Sequence, residues 1–266
     1  MLNCSVLSER RPANPGAPRL SAVAIIPARY YSTRFPGKLL ADLHGRPLIE
    51  HTYRRTCDAP GLDGVLVATD DERIGAVVES FGGRFVMTSR AHASGTDRLA
   101  EAAAGLDADL IVNVQGDEPL IEPAMIAEAL GAFEEDPRVR MATLGRRTTD
   151  AAEIRSPHVV KVVVDRDGRA LYFSRAPVPY ARDMPDGVPH EVVAHIGLYV
   201  YRRSFLLEVA ALPPGRLERI EGLEQLRVLE HGHPIQVVNT TYDSYGVDTP
   251  DDLERVRRTL TAEARS

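Results

Sequence analysis

The chain has 266 residues, of which 44% are apolar and 26% charged, and its 32 basic side chains against 38 acidic ones give a net charge of −6. This composition excludes disordered, collagen-like and disulfide-dense proteins, and the negative charge argues against binding to a nucleic-acid backbone. The longest apolar run, residues 22–26, is far shorter than the roughly 20 residues that cross a bilayer. With two cysteines, Cys4 and Cys57, the sequence offers no disulfide framework and fits a reducing cytoplasm.

A short apolar run followed by a segment of helical periodicity recurs through the first third of the chain. Unalternated apolar runs are typical of strands that are covered on both faces. The pattern therefore predicts an α/β fold, with a mostly parallel twisted sheet and helices on both of its faces. Residues 1–21, which precede the first strand, are predicted to be a disordered N-terminal extension. The predicted strands are 22–26, 65–69 and 110–114, and the predicted helices are 47–56, 71–81 and 95–104.

Beyond Pro123 the rhythm changes. A helix-like segment is followed by short β-branched runs, two of which are joined by a hairpin-like turn at residues 165–168. These strands are expected to pair antiparallel, as a smaller subdomain within a single domain that spans residues 22–266. The predicted elements here are helix 124–134, strands 141–144, 159–164, 170–173 and 192–201, a single helix 217–230, strand 235–239 and helix 250–260.

Positive charge is concentrated in the loop after the first strand. Arg29, Arg34 and Lys38 lie there among hydroxyls, a proline and a glycine. Ligands of open parallel sheets bind beyond the carboxyl ends of the strands, so this loop suits a polyphosphate. It is neither a P-loop nor a G-x-G-x-x-G motif. On charge alone, a solvated basic loop accounts for the same residues equally well.

Motifs along the chain resemble those of the sugar-nucleotide cytidylyltransferases, from about residue 22 to the end. The basic loop matches in I-I-P-A-R at 25–29, S-T-R at 32–34 and P-G-K at 36–38. Tyr31 departs from the pattern, which usually has a small residue there. Further blocks match, in order, the branch that activates 3-deoxy-D-manno-octulosonate (Kdo): A-T-D at 68–70, S-G-T-D-R at 94–98, N-V-Q-G-D-E-P at 113–119, Y-F-S-R at 172–175, H-I-G-L-Y at 195–199, L-E-Q-L-R at 223–227 and G-V-D-T-P at 246–250.

The resemblance implies a reaction, a cofactor and partners. The anomeric hydroxyl of Kdo would attack the α-phosphorus of CTP and release pyrophosphate, giving CMP-Kdo for lipopolysaccharide synthesis. Such a displacement needs in-line positioning and neutralisation of charge rather than a covalent intermediate. Mg²⁺ is the implied cofactor, the cytoplasm the implied location, and a homodimer the implied assembly, with about residues 141–182 in its interface.

The matching blocks also imply roles for particular side chains. Arg29, Lys38, Asp117 and Asp248 are the predicted catalytic residues, with the two aspartates as metal ligands. The predicted CTP contacts are Ala28, Arg29, Ser32, Arg34, Lys38, Ser94, Gly95, Thr96 and Gln115. The predicted sugar contacts are Arg98, Gln115, Arg175, His195, Tyr199, Glu221, Glu224 and Gln225.

Several of these residues have a plainer interpretation. Asp248 could cap a helix, and His195 could be an ordinary packed histidine, although its spacing from Tyr199 predicts that both side chains share one face of a strand. Arg175 could form a simple ion pair, and the polar stripe that includes Glu224 could be a solvated helix face. Glu118 could be a bystander that faces solvent.

Three other functions compete with the hypothesis of a Kdo cytidylyltransferase. A sialic-acid cytidylyltransferase would share the loop and the aspartates, and would differ in the sugar-facing residues. A glycosyltransferase that uses nucleotide-diphospho-sugars usually has an Asp-x-Asp motif after the equivalent strand, where this chain has Gln115 to Glu118. A nucleotide-binding module without turnover should have lost a phosphate cation or a metal carboxylate, and this chain keeps both.

Overall fold

The structure is a computed structural model that describes residues 19–32, 34–92, 94–184 and 186–263. The chain divides into two compact units, Met1–Ala127 with Ser244–Ser266, and Glu128–Asp243. The segment predicted to be disordered, 1–21, lies outside the described residues up to residue 18. Of its last three residues, Ser21 donates hydrogen bonds from its backbone N–H and its hydroxyl to Asp109, at 2.8 and 2.9 Å. None of the helices in the described part of the chain combines the length and the hydrophobicity of a membrane span.

Strands and helices alternate through the first unit, and strands dominate the second. The elements in chain order are β1 (Ala22–Ala28), a 3₁₀ helix (Lys38–Leu40), β2 (Asp42–Leu43), β3 (Arg46–Pro47), α1 (Leu48–Cys57), β4 (Gly64–Thr69), α2 (Glu72–Ser80), β5 (Phe85–Met87), α3 (Gly95–Ala104), β6 (Leu110–Asn113), α4 (Pro123–Glu135), β7 (Met141–Thr148), α5 (Ala151–Arg155), β8 (Lys161–Val164), β9 (Ala170–Ser174), β10 (Val192–Arg202), α6 (Arg203–Ala211), α7 (Arg216–Glu221), α8 (Gln225–Glu230), β11 (Gln236–Asn239) and α9 (Pro250–Glu263).

A parallel sheet forms the core of the first unit. β1 pairs in parallel with both β4 and β6, and β4 pairs in parallel with β5. Ala24, Ile25 and Ile26 of β1 have no exposed surface, which explains why the run does not alternate between apolar and polar residues. The prediction of an α/β fold with a mostly parallel sheet is confirmed. Because parallel strands end at one edge, the segments after β1, β4 and β6 begin at the same side of this sheet.

The helices of the first unit begin where the sequence provides caps. Asp71 accepts a hydrogen bond from the backbone N–H of Arg73 at the start of α2. Ser94 accepts one from the backbone N–H of Asp97 at the start of α3. These caps satisfy backbone donors that have no partner within the helix and fix where each helix starts.

The second unit carries a mixed sheet. β10 pairs antiparallel with β7 and with β8, and β8 pairs antiparallel with β9, as the hairpin-like turn predicts. β11 differs, because it pairs in parallel with β7. Lys161 at the start of β8 is fully buried and donates to the carbonyls of Ser156, Val159 and Arg175 at 2.9, 2.7 and 2.6 Å. Its ammonium therefore ties β8 to the chain that follows β9.

The prediction of a single helix over residues 217–230 is wrong. Gly222 ends α7 with a φ of 65°, a left-handed conformation that favours glycine, and its N–H donates to the carbonyl of Glu218 at 2.8 Å. α8 then starts at Gln225. A bidentate ion pair joins the two helices, since Arg227 Nε and Nη2 lie 2.8 and 2.6 Å from the carboxylate oxygens of Glu218, and both side chains are about nine-tenths buried.

Candidate active site

Two aspartates from distant parts of the sequence meet at one lysine in the first unit. Lys38 Nζ lies 2.6 Å from Asp117 Oδ2 and 3.0 Å from Asp248 Oδ1. The backbone N–H of Val247 donates to the carbonyl of Asp117 at 2.9 Å, which fixes the segment of Asp248 beside Asp117. The structure therefore brings together three of the four predicted catalytic residues.

Asp117 is placed by a glycine that no larger residue could replace without displacement. A Cβ on Gly116 would lie 3.1 Å from the backbone oxygen of Pro27 in β1, and Thr52 of α1 donates its hydroxyl to the Gly116 carbonyl at 3.0 Å. The chain after β6 is thus held against the end of β1 and against α1. This packing directs the Asp117 carboxylate to Lys38.

Charge in this cluster is balanced by a lysine that remains protonated. Burial alone would lower the pKa of Lys38, but Asp117 and Asp248 more than offset it, so the pKa lies above its ordinary value. Arg34 adds a second, more exposed cation, with Nη2 2.7 Å from Asp248 Oδ2. The ammonium of Lys38 therefore stays protonated at neutral pH.

Glu118 does not face solvent. Its side chain is buried next to Asp117, and its Oε2 has no hydrogen-bond partner. Burial, and to a lesser degree the charge of Asp117, raises the pKa of Glu118 to about 7. No local pattern predicts this burial, because Glu118 lies in a loop between a polar aspartate and Pro119.

The other predicted phosphate contacts of the basic loop differ in their exposure to solvent. Ala28 is the last residue of β1 and is buried, Arg29 and Arg34 are exposed, and Ser32 is half-buried. The predicted phosphate contacts thus share one loop that begins at the end of β1. This position, beyond the carboxyl end of a parallel strand, is the one expected for a ligand.

The second predicted nucleotide segment begins α3. Ser94 is its N-cap, and a Cβ on Gly95 would have no atom within 4 Å, so this backbone is open to close approach. Thr96 is buried, and Gln115, which follows β6, is half-buried. The N-terminal end of a helix suits an acceptor oxygen.

Arg98, a predicted sugar contact, is engaged within the first unit. Its guanidinium donates to Thr88 Oγ1 at 2.5 Å and lies 3.0 Å from Asp70 Oδ2, and the side chain is 7% exposed. Arg98 thereby links α3 to the segments that follow β4 and β5. Its role as a sugar contact stays a prediction.

In the second unit, His195 and Tyr199 share a face of β10, with ring centroids 5.5 Å apart. The Thr143 hydroxyl lies 3.0 Å from His195 Nε2, and 3.1 and 2.8 Å from the carbonyls of Ile196 and Leu198, where the strand register shifts. Since a hydroxyl has one proton and donates it to these carbonyls, it accepts from His195 Nε2–H. Burial lowers the pKa of His195 to about 3, so the ring is neutral and Nδ1 keeps its lone pair.

Glu221 and Arg175 form one network. Glu221 accepts from the Ser174 hydroxyl at 2.7 Å and from the Arg175 backbone N–H at 2.9 Å. The Arg175 guanidinium donates to the carbonyls of Pro157 and Glu221 at 2.9 and 2.8 Å. These bonds hold the end of β9 against the end of α7.

The break between α7 and α8 separates the residues that were predicted to form one polar stripe. Glu224 precedes α8 and is exposed, whereas Gln225 is 6% exposed. The two side chains therefore meet different surroundings. Glu224 is close enough to Tyr201 that its charge helps to raise the pKa of that phenol, after the larger effect of burial.

Carboxylates for a metal are few in this arrangement. Among the residues that the structure describes, no cluster of three or more His, Cys, Asp or Glu side chains could hold an ion. Asp117 and Asp248 nevertheless converge on one ammonium, so their oxygens are already arranged around a cation. Mg²⁺ commonly binds one or two carboxylates and takes its other ligands from substrate phosphates and water.

A parallel sheet with a cationic loop and paired carboxylates beyond its strands defines a nucleotide-binding α/β protein. A model of the cytidylyltransferase family matches residues 23–236. The chain belongs to the cytidylyltransferase family.

Its relatives include enzymes of one kind. The 3-deoxy-manno-octulosonate cytidylyltransferases of Geotalea uraniireducens and Geobacter sulfurreducens are 57% and 55% identical over 249 residues, which are 91% of this chain and 99% and 100% of those proteins. Among solved structures, a CMP:2-keto-3-deoxy-manno-octonic acid synthetase complexed with CTP is 43% identical, with a TM-score of 0.86 over 91% of this chain and 99% of that one.

Proposed function

We propose that this chain transfers the cytidylyl group of CTP to Kdo and releases pyrophosphate. The observation that carries the proposal is the convergence of Lys38, Asp117 and Asp248 next to a cationic loop. High identity to enzymes named for this reaction supports the choice of sugar. In the reaction the anomeric oxygen bonds to the α-phosphorus, the bond from that phosphorus to the bridging oxygen breaks, and the hydroxyl proton passes to solvent.

The basic loop would bind the triphosphate. Arg29 and Ser32 have room to approach phosphate oxygens, because Arg29 is exposed and Ser32 half-buried. Lys38 and Arg34 would exchange carboxylate oxygens for phosphate oxygens as CTP enters. A fixed cation on a transferring phosphoryl group is worth roughly 3 to 7 kcal/mol of barrier. Lys38 is the best placed, since its ammonium is already largely removed from water and held by two partners.

We propose Mg²⁺ as the cofactor, held by Asp117 and Asp248. The donor set fits, because two hard oxygen ligands already surround a single cation. When bound, the ion would neutralise charge on the phosphates and polarise the α-phosphorus. Gly116 and the hydrogen bond from Val247 position the segments that carry the two carboxylates.

The sugar would be recognised by the second unit. The neutral ring of His195 offers Nδ1 as an acceptor for a sugar hydroxyl, and Tyr199 lies on the same face. Glu224 is exposed at the start of α8 and would accept from another hydroxyl. Gln225 and Glu221 stay predicted contacts. A sugar carboxylate that used Arg98 or Arg175 would have to displace bonds that these guanidinium groups already make.

One assay tests this proposal directly. Purified protein is incubated with CTP, Mg²⁺ and either Kdo or a sialic acid, and release of pyrophosphate is followed. We expect release with Kdo. Release with the sialic acid alone would assign the chain to the other cytidylyltransferases, and release with neither sugar would favour a nucleotide-binding module.

Lys38→Ala should lower the turnover number at least about a hundredfold at saturating CTP without unfolding the protein. Arg138→Ala is the matched control, because Arg138 is 82% exposed and pairs only locally with Asp136 in the described contacts. Near-normal turnover of Lys38→Ala would contradict the role given to Lys38.

We also propose a homodimer whose interface includes residues 141–182. Two exposed apolar side chains in this segment support it, Leu171 on β9 at 60% exposure and Tyr180 at 75%. Light scattering should give twice the mass of the chain, and Leu171→Arg should reduce it. The cytoplasmic location stays a prediction, which cell fractionation tests.

A further inference from the structure

An aromatic ring in the basic loop, that of Tyr30, contacts both a guanidinium and a glycine. The Arg73 guanidinium carbon lies 3.4 Å from the centre of the Tyr30 ring, and it lies 5.9 Å from that of Tyr31. Gly37 also lies against this ring, since a Cβ on it would be 3.1 Å from the carbon that carries the Tyr30 hydroxyl. The short distance between Arg73 and Tyr30 is that of a direct cation–π stack.

Arg73 is itself held in place. Its Nε and Nη2 donate to the two carboxylate oxygens of Asp71 at 2.9 and 2.7 Å, a bidentate pairing that fixes the plane of the guanidinium. Asp71 is 9% exposed and is also the N-cap of α2. The stack is therefore fixed to a helix end rather than to a second loop.

The stacked tyrosine closes the loop. The Gly37 N–H donates to the Tyr30 carbonyl at 2.9 Å, so this hydrogen bond holds the two ends of the loop together. Gly37 has a φ of 72°, which strains any residue with a side chain, and Lys38 follows directly. A displacement of Tyr30 would thus pass through Gly37 to the lysine that contacts both aspartates.

We propose that Tyr30, Arg73 and Asp71 form a clamp that positions the basic loop for CTP. The inference rests on the proposed function of the loop as the triphosphate site. Tyr30 and Arg73 are positioning residues here, because they act through the backbone of the loop and through Lys38. The clamp provides the ordered loop in advance, so that CTP does not have to supply the free energy of ordering it.

Two measurements test the clamp, one of them without nucleotide. In the absence of CTP, the rate of trypsin cleavage at the bond from Arg34 to Phe35, followed by mass spectrometry, should rise about fivefold in Arg73→Ala and in Tyr30→Ala. In kinetic assays, the KM for CTP should rise about 5- to 10-fold in both variants, with kcat at saturation within about twofold of wild type. Tyr30→Phe keeps the ring and should stay within about twofold of wild type in both measurements.

The chain offers a matched control for Arg73. Arg138 makes the same local contacts to Asp136, with a backbone N–H bond and a bidentate side-chain pair, but no aromatic stack is described for it. Arg138→Ala should leave the cleavage rate and the KM unchanged. It separates the loss of a surface ion pair from the loss of the stack.

The outcomes distinguish the clamp from the function on which it rests. An unchanged cleavage rate in both Arg73→Ala and Tyr30→Ala would overturn the clamp. Faster cleavage with an unchanged KM for CTP would instead overturn the assignment of the loop to the triphosphate. A loss of kcat and of melting temperature with unchanged KM would show that Arg73 supports the fold as a whole, and would also overturn the proposal.

Discussion

Removing the ammonium of Lys38 should tighten the binding of a divalent ion to the protein without nucleotide. A metal ion and Lys38 would use the same carboxylate oxygens, since Nζ lies 2.6 Å from Asp117 and 3.0 Å from Asp248. An ion that binds these oxygens at about 2.0 to 2.1 Å must first separate the ammonium from at least one of them. Lys38→Met removes this competition and keeps a side chain of similar length.

The expected gain in metal affinity follows from how exposed each ion pair of Lys38 is. Lys38 and Asp117 are 11% and 28% exposed, so their bond is a partly buried charged hydrogen bond, worth about 1.5 to 3 kcal/mol. Asp248 is 47% exposed, and its pair with Lys38 adds about 0 to 1 kcal/mol. Because about 1.4 kcal/mol is a factor of ten, Lys38→Met should bind the ion at least about tenfold more tightly.

Electron paramagnetic resonance of Mn²⁺ titrated into nucleotide-free protein measures this affinity without any turnover. Arg34→Met is the matched control, because Arg34 also pairs with Asp248 but is 56% exposed, and it should change the affinity by no more than about threefold. Equal or weaker Mn²⁺ binding by a folded Lys38→Met protein would refute the reasoning. Its melting curve verifies the folding.

Three further outcomes concern the second unit and follow from buried charge and backbone conformation. Glu218→Gln should lower the free energy of unfolding by about 3 kcal/mol in urea titrations, because Arg227 then stays buried without a counter-ion. Burial would raise the pKa of Glu218, but hydrogen bonds from Arg227 outweigh burial and hold that pKa below its ordinary value. The loss of unfolding free energy in Glu218→Gln should therefore be full near neutral pH and should shrink as the pH falls through the folded-state pKa. The folded-state pKa of His195 is about 3, so below about pH 6.5 only the unfolded chain takes up a proton at this residue. Wild type should therefore lose stability between about pH 7.5 and pH 5. The His195→Gln variant should lose less stability over the same range. Gly222→Ala should cost about 1 kcal/mol because φ is 65° in open space, while Gly105→Ala, which ends α3 at a φ of −87°, should cost nothing measurable in the same titrations.

The parallel sheet could be predicted because burial on both faces leaves a mark on the sequence. β1, β4 and β6 are short apolar runs without alternation. Asp71 and Ser94 are N-cap residues that predict the starts of α2 and α3. In these cases the local sequence and the tertiary environment favour the same structure. The predicted ranges therefore agree closely with the observed elements.

Elements were missed where length or a single dihedral angle decides. β5 has three residues, too few for a pattern. α6 has a helical pattern, since Phe205, Leu206 and Val209 are buried at helical spacing. It was missed because it follows β10 without an intervening loop. Gly222 was the one residue able to break the predicted helix over 217–230. A glycine inside a periodic run can be tolerated or can end the helix, and periodicity does not distinguish the two.

The site could be predicted residue by residue, but not as a geometry. Asp117 and Asp248 are far apart in the sequence, and their meeting depends on a hydrogen bond between Val247 and the Asp117 carbonyl. Spacing carries no record of such a contact. Glu118 shows the same limit, because its burial comes from tertiary packing and not from its neighbours in the chain.

One signal for the site was nevertheless present in the composition. The chain has 30 arginines and two lysines, Lys38 and Lys161. Each lysine places its ammonium where oxygens converge from several directions, two carboxylates at Lys38 and three backbone carbonyls at Lys161. A compact ammonium with three donors fits such a point, whereas the planar fork of arginine fits paired oxygens on one side, as in Arg73 with Asp71. In a chain that otherwise uses arginine for positive charge, a lysine thus marks a position where the shape of the cation matters, and Lys38→Arg should not be treated as a conservative change.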